Sequence, residues 1–191
     1  YDPTGKAHYG RILVAGRVHQ LLEDPGERAR FESEGSLVCA RLLESEGFTA
    51  LGARVRETPV PDGGYEQNPA LSVPDLVTEV AGVLGVSEDA AVAYLQILTL
   101  MEPTTANLRQ WNDWTAARLK KALGPLADGG HVLEAKRARA GRAHFLPGGW
   151  VTQSAPKLPY ESWKGPLYGI KDGAAPLDAY LPLEPFHALF A

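Results

Sequence analysis

The sequence predicts a mainly α-helical protein that carries one small β-hairpin. Apolar residues recur at three- and four-residue spacing along much of the chain, and helix caps stand at the starts of several of those stretches. Two-residue alternation is confined to a short stretch at Phe48–Arg56 and to the segment around 131–146.

Residues 1–57 read as an N-terminal helical block. Ile12, Leu13, Val14, Val18, Leu21 and Leu22 recur at roughly helical spacing until Asp24-Pro25-Gly26 stops the pattern. A second helix is expected from Glu27 to Glu46, with Phe31, Leu37, Val38, Ala40, Leu42 and Leu43 as its apolar stripe and Gly47 as the C′ residue. Phe48–Arg56 then reads as a short strand. Residues 58–71 hold three prolines and a Gly-Gly pair, which disfavour regular structure and mark a linker or ordered surface loop, taken as the domain boundary.

Beyond it, Ser72 with Asp75 forms a capping-box pattern, and Leu76, Val77, Val80, Val83 and Leu84 make one face of a short helix that Gly85 ends. Ser87 caps the next helix, whose Glu88 and Asp89 suit the positive end of the helix dipole and whose Val92, Leu95, Ile97, Leu98 and Leu100 point inward. Pro103 stops it. Residues 151–191 scatter prolines among aromatics and read as an extended arm packed over the domain, with a last helical turn or two from Pro185 to Phe190.

Composition bounds the function classes. At 191 residues the chain can bury one core or two small ones, and its single cysteine, Cys39, cannot pair within it. A lone buried thiol between Val38 and Ala40 is core, and a reducing, cytoplasmic compartment is the natural expectation. No apolar run approaches the roughly 18 to 20 residues of a membrane span, so no membrane partner is expected. Starting at Tyr1 with a lone Met101, the chain reads as a piece of a longer protein, and its Ala-, Gly-, Leu- and Arg-rich composition fits a bacterial one.

Net charge is −4, but its distribution matters more than its sum. Residues 104–146 carry eight Lys/Arg against Asp113, Asp128 and Glu134, a net +5 that leaves −9 for the rest. A basic island on an acidic body has the makings of an anion-binding face.

Three features follow in order within that island. A short helix, Thr104 to Trp111, is capped by Thr104 and turns Leu108 and Trp111 inward. Asn112-Asp113-Trp114 makes a tight turn into a second helix capped by Thr115, in which Leu119 and Leu123 face one side and Arg118, Lys120 and Lys121 another. His131–Arg137 and Arg142–Leu146 then read as two strands joined by an Ala-Arg-Ala-Gly turn.

This order, with Leu126-Ala127-Asp128-Gly129-Gly130-His131-Val132 after the second helix and Gly141-Arg142-Ala143-His144-Phe145-Leu146 at the wing, resembles the winged helix-turn-helix superfamily over about residues 72–150. The resemblance implies a recognition helix that enters the major groove of duplex DNA and a hairpin that lays arginines on its backbone. Arg118, Lys120 and Lys121 are then the expected contacts from the helix, and Lys136, Arg137, Arg139 and Arg142 those from the wing. One departure stands out: Gly124-Pro125 interrupts the recognition helix and predicts that it ends at Leu123.

The same fold also serves as a protein-binding adaptor, so the alternative is an interaction or scaffolding module of a large multidomain bacterial protein. Trp111 and Trp114 read as core anchors, and Trp150 and Trp163 as residues that pin the arm. His131 and His144 are expected to face each other across the hairpin. The histidines show no pair at metal spacing, Pro3-Thr4-Gly5-Lys6 lacks the upstream glycine of a phosphate loop, and no nucleophile or paired-carboxylate motif appears. No cofactor, metal or enzymatic activity is therefore expected.

Overall fold

A computed structural model of the chain describes residues 45–170 and 180–191, together with Pro25 and Gly26. The helices expected before Ser45, and Cys39, lie outside the described residues. The described elements follow in the order α1 (Glu46–Glu57), α2 (Pro69–Ser72), α3 (Pro74–Leu84), α4 (Glu88–Thr99), α5 (Thr105–Asn112), α6 (Ala116–Asp128), β1 (Leu133–Glu134), β2 (His144–Phe145), β3 (Trp150–Val151), β4 (Tyr160–Glu161), a 3-10 helix (Ser162–Tyr168) and α7 (Phe186–Phe190). The protein is mainly helical with two small antiparallel ladders, β1–β2 and β3–β4.

α1 replaces the strand expected over Phe48–Arg56. The Ser45 hydroxyl accepts from the Phe48 amide and Glu46 occupies the first turn, so cap and dipole both start a helix there. Gly47 accordingly lies inside α1 rather than after a helix. Its missing Cβ admits the Leu183 carbonyl, with which any side chain would collide.

Residues 58–71 are an ordered, packed segment. Glu66 accepts from the Arg54 guanidinium at 3.1 Å and from the Thr58 hydroxyl. The Gln67 carbonyl accepts from Gln96, and buried Asn68 caps α2 through the Ala70 amide. That small helix also takes Ser72, whose hydroxyl donates to the Asn68 carbonyl at 3.1 Å, so Ser72 does not cap α3; Val73 stands there with no side-chain cap. Gly85 ends α3 in the left-handed region, at φ 66°.

α4 is the central element. Ala90, Ala91, Val92, Ala93, Leu95, Gln96, Ile97 and Thr99 are all buried, the signature of a helix surrounded by packing. α3 supplies Val77 and Ala81, α5 Leu108, and α6 Leu119, Ala122, Leu123 and Leu126. Trp114, Val132, Leu146 and Phe190 complete the cluster. One polar pair lies within it: Asn112 Nδ2 donates to Gln96 Oε1 at 2.8 Å, and Gln96 Nε2 returns a bond to Asn112 Oδ1 at 3.0 Å.

α5 and α6 meet across a tight turn. Asp113 adopts φ 51°, Thr104 caps α5 through the Asn107 amide, and Thr115 caps α6 through the Arg118 amide. α6 does not stop at Leu123 but runs to Asp128 with Pro125 inside it. Pro125 forfeits a bond to the Lys121 carbonyl, yet it faces solvent, while Leu126 is wholly buried and holds the last turn in the core.

The expected strands shrink to two residues each, with Leu133 opposite Phe145 and Glu134 opposite His144. Arg139 at φ 60° and Gly141 at φ 68° widen the loop between them, and one further bond joins the Ala135 amide to the Ala143 carbonyl. His144 therefore pairs with Glu134, not with His131.

The arm completes α4. A helix leaves its last carbonyls without intrahelical donors, and here the 3-10 helix supplies them. Lys164 Nζ donates to the Ile97 carbonyl at 2.6 Å and the Leu100 carbonyl at 2.7 Å, Tyr168 Oη to Thr99 at 3.2 Å, and Trp163 Nε1, at a longer 3.4 Å, to Leu98. Met101, Tyr160 and Tyr168 form a second small cluster beneath the arm. No helix among the described residues is long and apolar enough to cross a membrane.

Candidate functional site

The basic residues divide between two places, the exposed side of α6 and the β1–β2 hairpin. Arg118, Lys120 and Lys121 all reach solvent on α6. Arg118 is not free there. Its Nε and Nη2 each lie 2.8 Å from an Asp89 carboxylate oxygen, and its guanidinium sits 5.1 Å from the Trp114 ring. The hydrogen bond from Arg118, with the positive charge of Lys121 nearby, holds the Asp89 carboxyl below its usual range. With side chains 53% and 37% exposed, the pair contributes at most about 1 kcal/mol to stability.

In the hairpin Arg142 turns inward, Arg137 is half-buried, and Arg139 lies exposed against the arm. Arg142, only 4% exposed, places Nη2 2.7 Å from both oxygens of Glu161, which is fully buried. Lys164 Nζ lies 2.9 Å from Glu161 Oε2. Burial alone would raise the Glu161 carboxyl, but the two cations outweigh it and hold the group below its usual range. Burial likewise pushes Lys164 down to about 8, with Glu161 opposing the shift.

Arg139 forks onto the arm, donating Nη1 to the Gln153 carbonyl and Nη2 to the Lys157 carbonyl at 2.7 Å. Arg137 stacks 4.5 Å from the ring centres of both Phe145 and Trp150, which themselves meet edge to face at 5.2 Å. Lys136 remains exposed at the mouth of an open groove of about 470 Å³, lined also by Glu134, Ala135, Arg137, Arg142 and Ala143.

Comparison with protein-family models, curated proteins and solved structures finds no match to this chain.

The seven cations expected to share one face thus have different surroundings. Lys120, Lys121 and Lys136 are exposed, Arg118 is paired on the surface, and Arg137, Arg139 and Arg142 are engaged by aromatic rings, main-chain carbonyls and a buried carboxylate. Of the partners that decide this, Asp89 reads in the sequence only as a first-turn helix acid, and Glu161 and Lys164 stand in no motif. Glu161 and Lys164 do stand three apart, the spacing of an intrahelical ion pair, within a segment that reads only as proline-rich.

Proposed function

We propose that this domain is a protein-interaction or scaffolding module. One observation carries the reading: the hairpin that would have to present arginines to a phosphate backbone holds the chain's own polypeptide instead. Arg142 binds a buried carboxylate, and Arg139 binds two carbonyls that flank a turn of the arm. Releasing Arg142 to a nucleic acid would strand Glu161 in the interior, where an unpaired charge is very costly.

Fluorescence polarisation of the chain against random duplex DNA at low and moderate salt tests this. Little binding is expected. Tight binding with a steep salt dependence overturns the reading.

A second reading, duplex DNA binding through α6 alone, rests on a specific feature. α6 follows a tight turn from α5 and exposes Lys120 and Lys121, the order α4–α5–α6–β1–β2 being the one a winged helix-turn-helix requires. In that case Lys120→Ala with Lys121→Ala abolishes duplex binding, while Arg139→Ala leaves it unchanged.

A further inference from the structure

The hairpin arginines are engaged, yet not fully satisfied. Arg142 Nη2 contacts both oxygens of Glu161, but its Nη1 is buried and has no hydrogen-bond partner among the described residues. Arg137 Nη1 is in the same condition. Both guanidinium carbons lie close to the Phe145 ring, at 4.5 and 4.9 Å, so the two cations share one aromatic platform. Among the described residues, buried Arg142 and Lys164, with half-buried Arg137 beside them, share one buried carboxylate, Glu161, and the other anion of the groove, Glu134, is exposed to solvent.

Such an excess of buried positive charge is costly, and the aromatic faces offset only part of it. Burial, and to a lesser degree the neighbouring Arg137, push the Arg142 guanidinium down from its ordinary value despite Glu161. Arg137 and Arg142 both line the open groove, with Lys136 beside them. An anion seated in that groove would offset the excess and, once a guanidinium rotates toward it, take up an N–H that is now buried and unmatched.

We propose that the groove between Glu134–Arg137 and Arg142–Ala143 binds a single carboxylate, presented by an acidic segment of a partner protein. The inference deepens the protein-interaction reading and rests on it. Guanidinium groups match a planar carboxylate through paired N–H donors, and Arg142 already holds the Glu161 carboxylate within the same cluster. Glu134 lines the groove as well, and its negative charge opposes the continuous row of charges on a nucleic-acid backbone more than it opposes one carboxylate.

The test is fluorescence polarisation of the full chain with a glutamate-rich peptide and with its glutamine counterpart, using glutarate, inorganic phosphate and random duplex DNA as competitors. The acidic peptide is expected to bind, the neutral one not, and glutarate to compete better than phosphate. Because Arg142 variants threaten the fold, the decisive variant is Arg137→Gln, whose side chain leaves no buried ion pair behind. It should weaken the acidic peptide by about 10- to 100-fold with an unchanged circular dichroism spectrum.

Binding that is indifferent to Arg137→Gln, stronger competition by phosphate, or no peptide binding by the folded chain each overturns the groove assignment. If the chain also ignores duplex DNA, that failure concerns the groove alone. Duplex binding that requires Lys120 and Lys121 overturns the protein-interaction reading as well.

Discussion

Lys164 Nζ lies 2.9 Å from Glu161 Oε2, and neither side chain has any exposure to solvent. With Arg142 Nη2 2.7 Å from the same carboxylate, the arm and the hairpin share one buried ionic cluster. Removing the only anion described in that cluster leaves two buried cations facing each other. Glu161→Gln is therefore expected to lower stability by about 3–5 kcal/mol, read by urea unfolding with an unchanged m-value. Adding Lys164→Met to that variant should recover part of the loss.

The same cluster shapes the alkaline limb of the stability curve. Burial lowers Lys164 from 10.5 to about 8, so between those values the unfolded chain binds more protons than the folded one. Stability gained from this group therefore rises with pH across that window, by on the order of 2–3 kcal/mol in total. Tyr168 works in the opposite direction. Burial raises its hydroxyl above the ordinary 10, so its contribution declines once pH passes that value. Thermal unfolding from pH 8 to 11 should show a maximum near 10, and Lys164→Met should remove the rising limb.

Asn112 and Gln96 exchange two hydrogen bonds between α5 and α4 inside an otherwise apolar cluster. Asn112→Leu leaves the buried Gln96 Oε1 without its donor, although Nε2 keeps its bond to the Gln67 carbonyl, and is expected to cost about 1–3 kcal/mol. The double replacement by leucine removes both polar groups and should cost less than the two single changes added together. Additivity in a double-mutant cycle would show that the amides do not depend on each other.

Arg118 and Asp89 make a contrasting pair at the surface. Asp89→Asn should change stability by under about 1 kcal/mol, because the charges are screened and remain solvated. It also frees Arg118 and removes a negative charge from beside α6. A rise in duplex affinity upon this change would favour the DNA reading, whereas no change is expected of an interaction module.

Pro125 offers a direct test of helix continuity. Replacing it with alanine restores a donor for the Lys121 carbonyl at an exposed position, which should stabilise α6 by about 1 kcal/mol once the more flexible unfolded chain is counted. A loss of stability would mean that the proline ring itself is needed there.

Local signals were readable where a single side chain decides the outcome. Ser87, Thr104 and Thr115 each cap the helix expected of them, Gly85 ends α3, and Trp114 is buried while Trp163 reaches α4. The failures arise where distant packing overrides a local preference. Leu126 draws α6 through Pro125, and α2 takes Ser72 from the capping role its spacing offered. The hairpin could be read as basic, but the direction of its arginines could not, because Glu161 lies 19 residues from Arg142 in the chain. Charge counted along a segment does not reveal which of its members a remote carboxylate will claim.

The donors that Lys164, Trp163 and Tyr168 extend to the end of α4 have a practical corollary for anyone dissecting this protein. A fragment cut at residue 150 retains α1 to α6 but exposes four main-chain acceptors, the carbonyls of Ile97, Leu98, Thr99 and Leu100, that water must then reach at the heart of the molecule. The smallest piece that behaves like the parent therefore has to run past Tyr168 to α7, whose Phe190 sits in the main core, however dispensable a proline-rich tail looks on paper.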